Sequence, residues 1–293
     1  MRSLTLPTPP KFSFAECLRY LSRSPRENRY RVAHDRVKKV IDLAGEPIFL
    51  MIRASAPDAL VVNYQTTVPD AKPRVRSYVT DWFDLSRDLR PFYALAKSDP
   101  LLAPAIEQHY GLRLMGIPSL FEALCWAIIG QQINLTFAYT LKQRFVQIWG
   151  AADWYEGEAY YRFPTPETVA TLNPNQLTTL QFSARKAEYL IGVAQAIAAD
   201  ELSKKKLLAL PTAEALDVLV RQRGVGAWTA NYVLLKCLQH PDAFLAADVG
   251  LHNAIKQGLG LAQKPDLAAV HRYAEPWVGW RGYATFYLWQ TLT

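Results

Sequence analysis

Residues 216–238 read LDVLVRQRGVGAWTANYVLLKCL: one helical pattern stops at Gly224-Val225-Gly226 and a second begins at once. Two helices joined by a tight hairpin are implied. Glycines admit positive φ and close backbone approach, and the second helix presents unpaired N–H groups and a positive dipole end. Such a turn suits a phosphate, with Gly224, Val225, Gly226 and Ala227 as the gripping backbone. Arg221 and Arg223 flank it and would add attraction without reading any base sequence. Glycine is also common just past helix ends, so an ordinary helix–helix connection explains the turn equally well by itself.

A second feature lies 22 residues beyond Gly226, where Asp248 opens the segment DVGLHNAI. One intervening helix of about 15 residues spans roughly 22 Å, so hairpin and carboxylate fit one cleft. Asp at such a junction is a frequent N-cap. The two roles are compatible, because backbone N–H groups favour the charged form of a carboxylate, and a charged carboxylate suits a cationic transition state.

Composition frames these features. A chain of 293 residues leaves room for two domains, and 33 Lys and Arg against 26 Asp and Glu favour a polyanionic partner without identifying it. Cys17, Cys125 and Cys237 lack paired spacing, and the five histidines have no ligand spacing with them, which argues against disulfides, zinc and iron–sulfur clusters. No run approaches the roughly 18 apolar residues of a membrane span. A soluble protein of a reducing cytoplasm is expected.

Near Asp99 the periodicity changes. Before it, residues 30–33, 37–43, 46–55 and 59–66 read as antiparallel strands, with helices at 12–21 and 74–85. After it nearly everything reads as helix, nine or ten in number, clearest at 119–131, 134–149, 183–199, 212–222, 227–239, 248–258 and 280–292. The fold expected is mainly α: an N-terminal α+β domain with a small antiparallel sheet (1–98), then an all-α domain (99–293). Ser183-Ala184-Arg185-Lys186 starts a helix whose two cations are read as solvated or structural.

At these residues the chain resembles the helix-hairpin-helix DNA glycosylases, in particular the DNA-3-methyladenine glycosylase II branch. The likeness runs through Asp99-Pro100-Leu101, Leu124 to Gln132 (LCWAIIGQQ), Arg185 to Leu190 (RKAEYL), Gly224 to Tyr232, Arg272 to Trp277 and Trp280 to Trp289. It implies base excision repair of double-stranded DNA, with Asp248 driving cleavage of the N-glycosidic bond of a flipped-out base and water as the final nucleophile. Members that also cut the strand carry a lysine two residues after the second hairpin glycine. Trp228 stands there, so a monofunctional enzyme acting as a monomer is expected.

The resemblance also implies a base pocket of Trp289, Tyr232 and Trp228, closed by Phe14 or Leu18 of the N-terminal domain. Aromatic faces attract a positively charged alkylated purine by about 0.5–2 kcal/mol. Core packing is the competing explanation for each ring. Gln131 and Gln132, on a helix–helix turn, are expected to face outward, with Gln132 filling the gap the extruded base leaves. No cofactor is needed for the chemistry. The hairpin carbonyls of Val220, Gln222 and Val225 are expected to hold a sodium or potassium ion, although Arg223 replaces a proline common in the family. Two alternatives remain: a glycosylase for deaminated or other neutral bases, and a DNA-binding module that performs no chemistry.

Overall fold

Every second side chain of Ala59–Gln65 is apolar, and Leu60, Val62 and Tyr64 are buried, so this strand turns one face to the core. The computed structural model describes residues 1–43, 45–56 and 58–292. Five antiparallel strands, β1 (Arg2–Pro7), β2 (Arg31–Ala33), β3 (Arg36–Leu43), β4 (Glu46–Ala56) and β5 (Ala59–Gln65), form a sheet in the order β1-β5-β4-β3-β2. The register opposes Val37 to Ile52, Ile52 to Val62 and Leu4 to Val62, which stacks apolar side chains across one face. Helices α1 (Phe14–Leu21) and α2 (Ala71–Trp82) accompany the sheet; α2 begins three residues before the expected 74.

The edge strand β1 was not expected, because MRSLTLPTPP reads as broken by proline. Its Leu4 and Leu6 alternate inward, and Pro7 stands at the strand's last position, where an edge tolerates it.

The helical part comprises α3 (Arg90–Ala96), α4 (Leu102–Gln108), α5 (Leu120–Gly130), α6 (Leu135–Trp149), α7 (Pro166–Ala170), α8 (Pro174–Thr178) and α9 (Ala184–Ala198). It continues with α10 (Lys204–Leu208), α11 (Thr212–Val220), α12 (Ala227–Lys236), α13 (Val249–Gly258), α14 (Leu267–Tyr273) and α15 (Arg281–Gln290). Twelve helices thus follow Asp99 among the described residues, more than the nine or ten expected, because α7, α8 and α10 have five residues each, too few to show a period. The capping residues are as read: Ser119, Asn134, Ser183 and Asp248 each accept the N–H three residues on. Residues 120–129 of α5 are all buried, making it the central rod against which α6, α9 and α12 pack.

One departure from an all-helical unit is the hairpin β6 (Ala152–Tyr155) and β7 (Glu158–Tyr161). Its turn residues Glu156 and Gly157 both have positive φ, 53° and 78°, as a two-residue hairpin demands. Tyr160 of this hairpin buries against Val40 and Phe49 on the outer face of the N-terminal sheet. The main core likewise runs without a break across residue 99. Asp99 itself accepts the N–H groups of Leu101 and Leu102 and the indole N–H of Trp277, tying the start of α4 to the turn before α15.

Between sheet and helices lies a buried ionic cluster. Arg29 faces Glu122 at 3.4 Å, Lys142 pairs with Glu27 at 2.7 Å, and Arg29 also donates to the carbonyl of Tyr161. Burial by itself would raise the Glu122 carboxyl, but the positive charges of Arg29, Lys39 and Lys142 overcome it and hold Glu122 at about 2. A depressed carboxylate contributes stability that is present above its unfolded value, about 4.3, and is lost as pH falls through the folded one. Lowering the pH from 5 to 3 is therefore expected to reduce the urea midpoint of the wild type more than that of Glu122→Gln; equal shifts would remove Glu122 from the acid response.

Candidate active site

Helix α13 begins at Asp248, and the side chain that caps it is also held from two other helices. Oδ1 accepts the backbone N–H of Leu251 at 2.7 Å and the indole N–H of Trp289 (α15) at 2.7 Å. Oδ2 accepts the indole N–H of Trp228 (α12) at 2.9 Å. Three donors on two oxygens fix the carboxylate plane and leave Oδ2 with unused acceptor capacity. Gly250 explains how Trp289 comes so close: a Cβ there would stand 2.9 Å from Asp248 Oδ1 and 3.1 Å from the Trp289 ring.

Asp248 lies in the wall of a cavity of about 440 Å³, with Trp126, Trp228, Tyr232 and Trp289 as aromatic walls. The Trp228 and Tyr232 rings stack at 5.4 Å between centroids. Burial pushes the Tyr232 hydroxyl well above its ordinary range, so it stays protonated. Helix α1 contributes as expected of the N-terminal part, but through other residues. Tyr20 and, just past the helix, Arg23 line the cavity, whereas Phe14 packs against Phe83 with the rings tilted and Leu18 is likewise buried in the core, so neither Phe14 nor Leu18 closes the pocket.

The hairpin has the geometry its sequence suggested. Gly224 has φ +87°, and a Cβ on it would lie 2.2 Å from the Tyr189 ring, so only glycine fits. Gly226 caps α12, and Gly226 and Ala227 are exposed, which turns the unpaired N–H groups of that helix start to solvent. Arg223 is tied to Glu188 at 2.7 Å, and Lys186 donates to the Ile129 carbonyl at the end of α5, a structural role.

The two glutamines part company. Gln131 does not face outward: its amide donates to the Gly224 carbonyl at 2.9 Å and to Thr229 Oγ1 at 3.0 Å, bracing the hairpin. Gln132 is exposed, with φ +56°, at the tip of its turn.

Against this geometry, residues 125–278 match the family model of the HhH-GPD superfamily base excision DNA repair protein, and residues 8–124 that of the 8-oxoguanine DNA glycosylase N-terminal domain. The chain belongs to the HhH-GPD superfamily. It is 40% identical, over 99% of its own length and 97% of the relative's, to a Bacillus subtilis (strain 168) protein called DNA-3-methyladenine glycosylase. DNA-3-methyladenine glycosylase 2 of Escherichia coli (strain K12) is 36% identical over 62% of this chain and 61% of its own. In fold it matches a 3-methyladenine DNA glycosylase from Archaeoglobus fulgidus with a TM-score of 0.86 at 22% identity, covering 98% and 97% of the two chains.

Within this HhH-GPD protein, Tyr20, Arg23, Trp126 and Gly250 were missed by sequence reasoning. Gly250, two residues after Asp248, had a readable signal, since glycine inside the first turn of a helix asks for a packing reason. Arg23 lies in a polar stretch without periodicity and had none. No helix among the described residues is long and apolar enough to cross a membrane.

Filling the space at Gly250 tests how closely the carboxylate must be held. Gly250→Ala is expected to keep the fold, judged by circular dichroism, and to slow base release about tenfold or more by displacing Asp248; an unaffected rate would mean that the carboxylate tolerates that shift.

Proposed function

We propose that this protein is a monofunctional DNA glycosylase that hydrolyses the N-glycosidic bond of alkylated purines flipped out of double-stranded DNA, leaving an abasic site. The observation that carries this reading is the Asp248 carboxylate, fixed by two indole N–H groups in the wall of an aromatic cavity. The volume, about 440 Å³, is that of a small-molecule pocket and admits one base. The names of the Bacillus subtilis and Escherichia coli relatives support alkylated purines as substrates.

The chemistry follows from charge. As the bond from C1′ to the base nitrogen breaks, its electron pair leaves with the base and positive charge grows on the sugar. An alkylated purine already carries that charge and departs neutral. Asp248 stabilises the cationic sugar, and the spare acceptor capacity of Oδ2 can orient a water whose oxygen then bonds to C1′ and whose proton is lost. The Trp228 indole occupies the position of the lyase lysine, and no lysine lines the cavity among the described residues, which supports a reaction without a Schiff base.

Holding the DNA falls to the N–H groups of Gly226 and Ala227, with Gln132 entering the duplex. The carbonyls of Val220, Gln222 and Val225 would hold a monovalent cation that supplies positive charge toward a phosphate. They suit it as groups at a helix end without intrahelical partners, although the Gln222 carbonyl already accepts the Val225 N–H.

Asp248→Asn keeps the volume but removes the charge. Release of 3-methyladenine from methylated DNA is expected to fall by about 100-fold or more, the scale of losing one electrostatic stabiliser. Binding to abasic-site DNA should remain within a few-fold. Undiminished release would sink the mechanism and leave a DNA-binding module whose chemistry lies elsewhere.

A further inference from the structure

The base cavity contains a positive charge as well as a negative one. Arg23, just past the end of α1, lines the same cavity as Asp248. Its guanidinium lies over the Tyr20 ring, with Cζ 3.8 Å from the centroid, and its Nε donates to the Tyr139 hydroxyl at 2.7 Å. These two contacts hold the guanidinium in place. No carboxylate pairs with Arg23 among the described residues, and the terminal nitrogens have no acceptor there, whereas Arg29 and Lys142 are paired with Glu122 and Glu27 and Lys236 donates to the Tyr20 hydroxyl. Arg23 lines the open cavity, and that is where its remaining N–H groups can be met.

Arg23, Tyr20, Trp126 and Tyr232 also line a second cavity of about 40 Å³, too small for a base, that lies beyond the first. Asp248 does not touch it. The four residues thus form the wall of the base cavity that backs onto the interior. A nucleotide with its sugar at Asp248 can reach that wall with the edge of its base, because Asp248 and Arg23 line one cavity.

Resting on the reading of an alkylpurine glycosylase, we propose that Arg23 is a specificity-determining residue that selects purines whose edge offers paired acceptors, O6 and N7. A guanidinium fork meets that pair with two parallel N–H bonds. The adenine edge presents an N6 amino donor beside N7, and a guanidinium, which has only donors, opposes it. Charge cannot make this choice between 3-methylguanine and 3-methyladenine, because both are cationic on the nucleoside and both carry the methyl group at N3. The acceptor pattern of the edge can. Hypoxanthine, neutral and with O6 and N7 free, fits the same wall.

The test uses DNA treated with a methylating agent, which carries 3-methylguanine and 3-methyladenine together, with each released base quantified by chromatography over time. The ratio of their release rates, guanine over adenine, is expected to fall roughly tenfold in Arg23→Met, the scale of losing one bidentate base contact. Tyr139→Phe, which frees the guanidinium without removing it, should lower the ratio less and in the same direction. Thermal unfolding of each variant establishes that it is folded. Equal losses for both bases, or an unchanged ratio while 3-methyladenine is still released, would overturn the role of Arg23 alone. Failure of the wild type to release either methylated base would remove the alkylpurine reading and this inference with it.

Discussion

The grip of two indoles and a helix start on one carboxylate is the constraint around which the structure is arranged. A charged Asp248 inside an aromatic cavity is costly unless its oxygens are hydrogen-bonded, and the three donors come from three separate helices, α12, α13 and α15. Hydrogen bonds of 2.7–2.9 Å leave little freedom, so the three helices must be placed to within a fraction of an ångström. Much of the core serves that placement. Gly250 lets α15 approach α13, Gly282 lets α15 run against the backbone of Pro241 and Ala243, and Tyr283 reaches across to the buried Asp84 at 2.6 Å.

Grip and chemistry are joined within a single turn of α12. The exposed N–H groups proposed to meet a phosphate sit at Gly226 and Ala227, and Trp228, next along, holds Asp248. Gln131 adds a second link, since it ties the turn that carries Gln132 to the hairpin carbonyl at Gly224. On the proposed reading, a phosphate drawn onto the helix start would fix the sugar–phosphate backbone relative to the carboxylate, with little slack between binding and bond cleavage.

What was legible in the sequence was local. Gly224 and Gly226, the capping Ser119, Asn134, Ser183 and Asp248, and the alternating strands each announce themselves within a few residues, because caps, turns and pleats are short-range physics. The pocket was legible only where a resemblance pointed to Tyr232, Trp228 and Trp289. Helix α1 shows why periodicity failed to supply the rest. Phe14, Cys17, Leu18 and Leu21 fall at i, i+3, i+4 and i+7 and mark its core-facing stripe, but nothing in that pattern shows that Tyr20, beside the stripe, meets a cavity. Gln131 was misread for a related reason: its partners, Gly224 and Thr229, are about a hundred residues away, and turn polarity by itself suggests solvent. The β6–β7 hairpin hid behind Glu156-Gly157, a weaker turn signal than Asn-Gly or Asp-Gly.

The unpaired guanidinium of Arg23 changes how the aromatic walls should be understood. Rings that attract a cation are a sufficient account of an alkylpurine pocket only while nothing else in the cavity is positive. Here one ring, Tyr20, already has its face occupied by Arg23, and the remaining walls must accept a base in the presence of that charge. A cationic base needs little help to leave, because breaking its bond neutralises it. The demand on the protein is to decide which bases enter, and hydrogen-bond pattern discriminates far more sharply than attraction to a ring face. With the sugar at the carboxylate and the base edge toward the guanidinium, stabilisation of the transition state and selection of the base fall to separate walls, and each can change without disturbing the other.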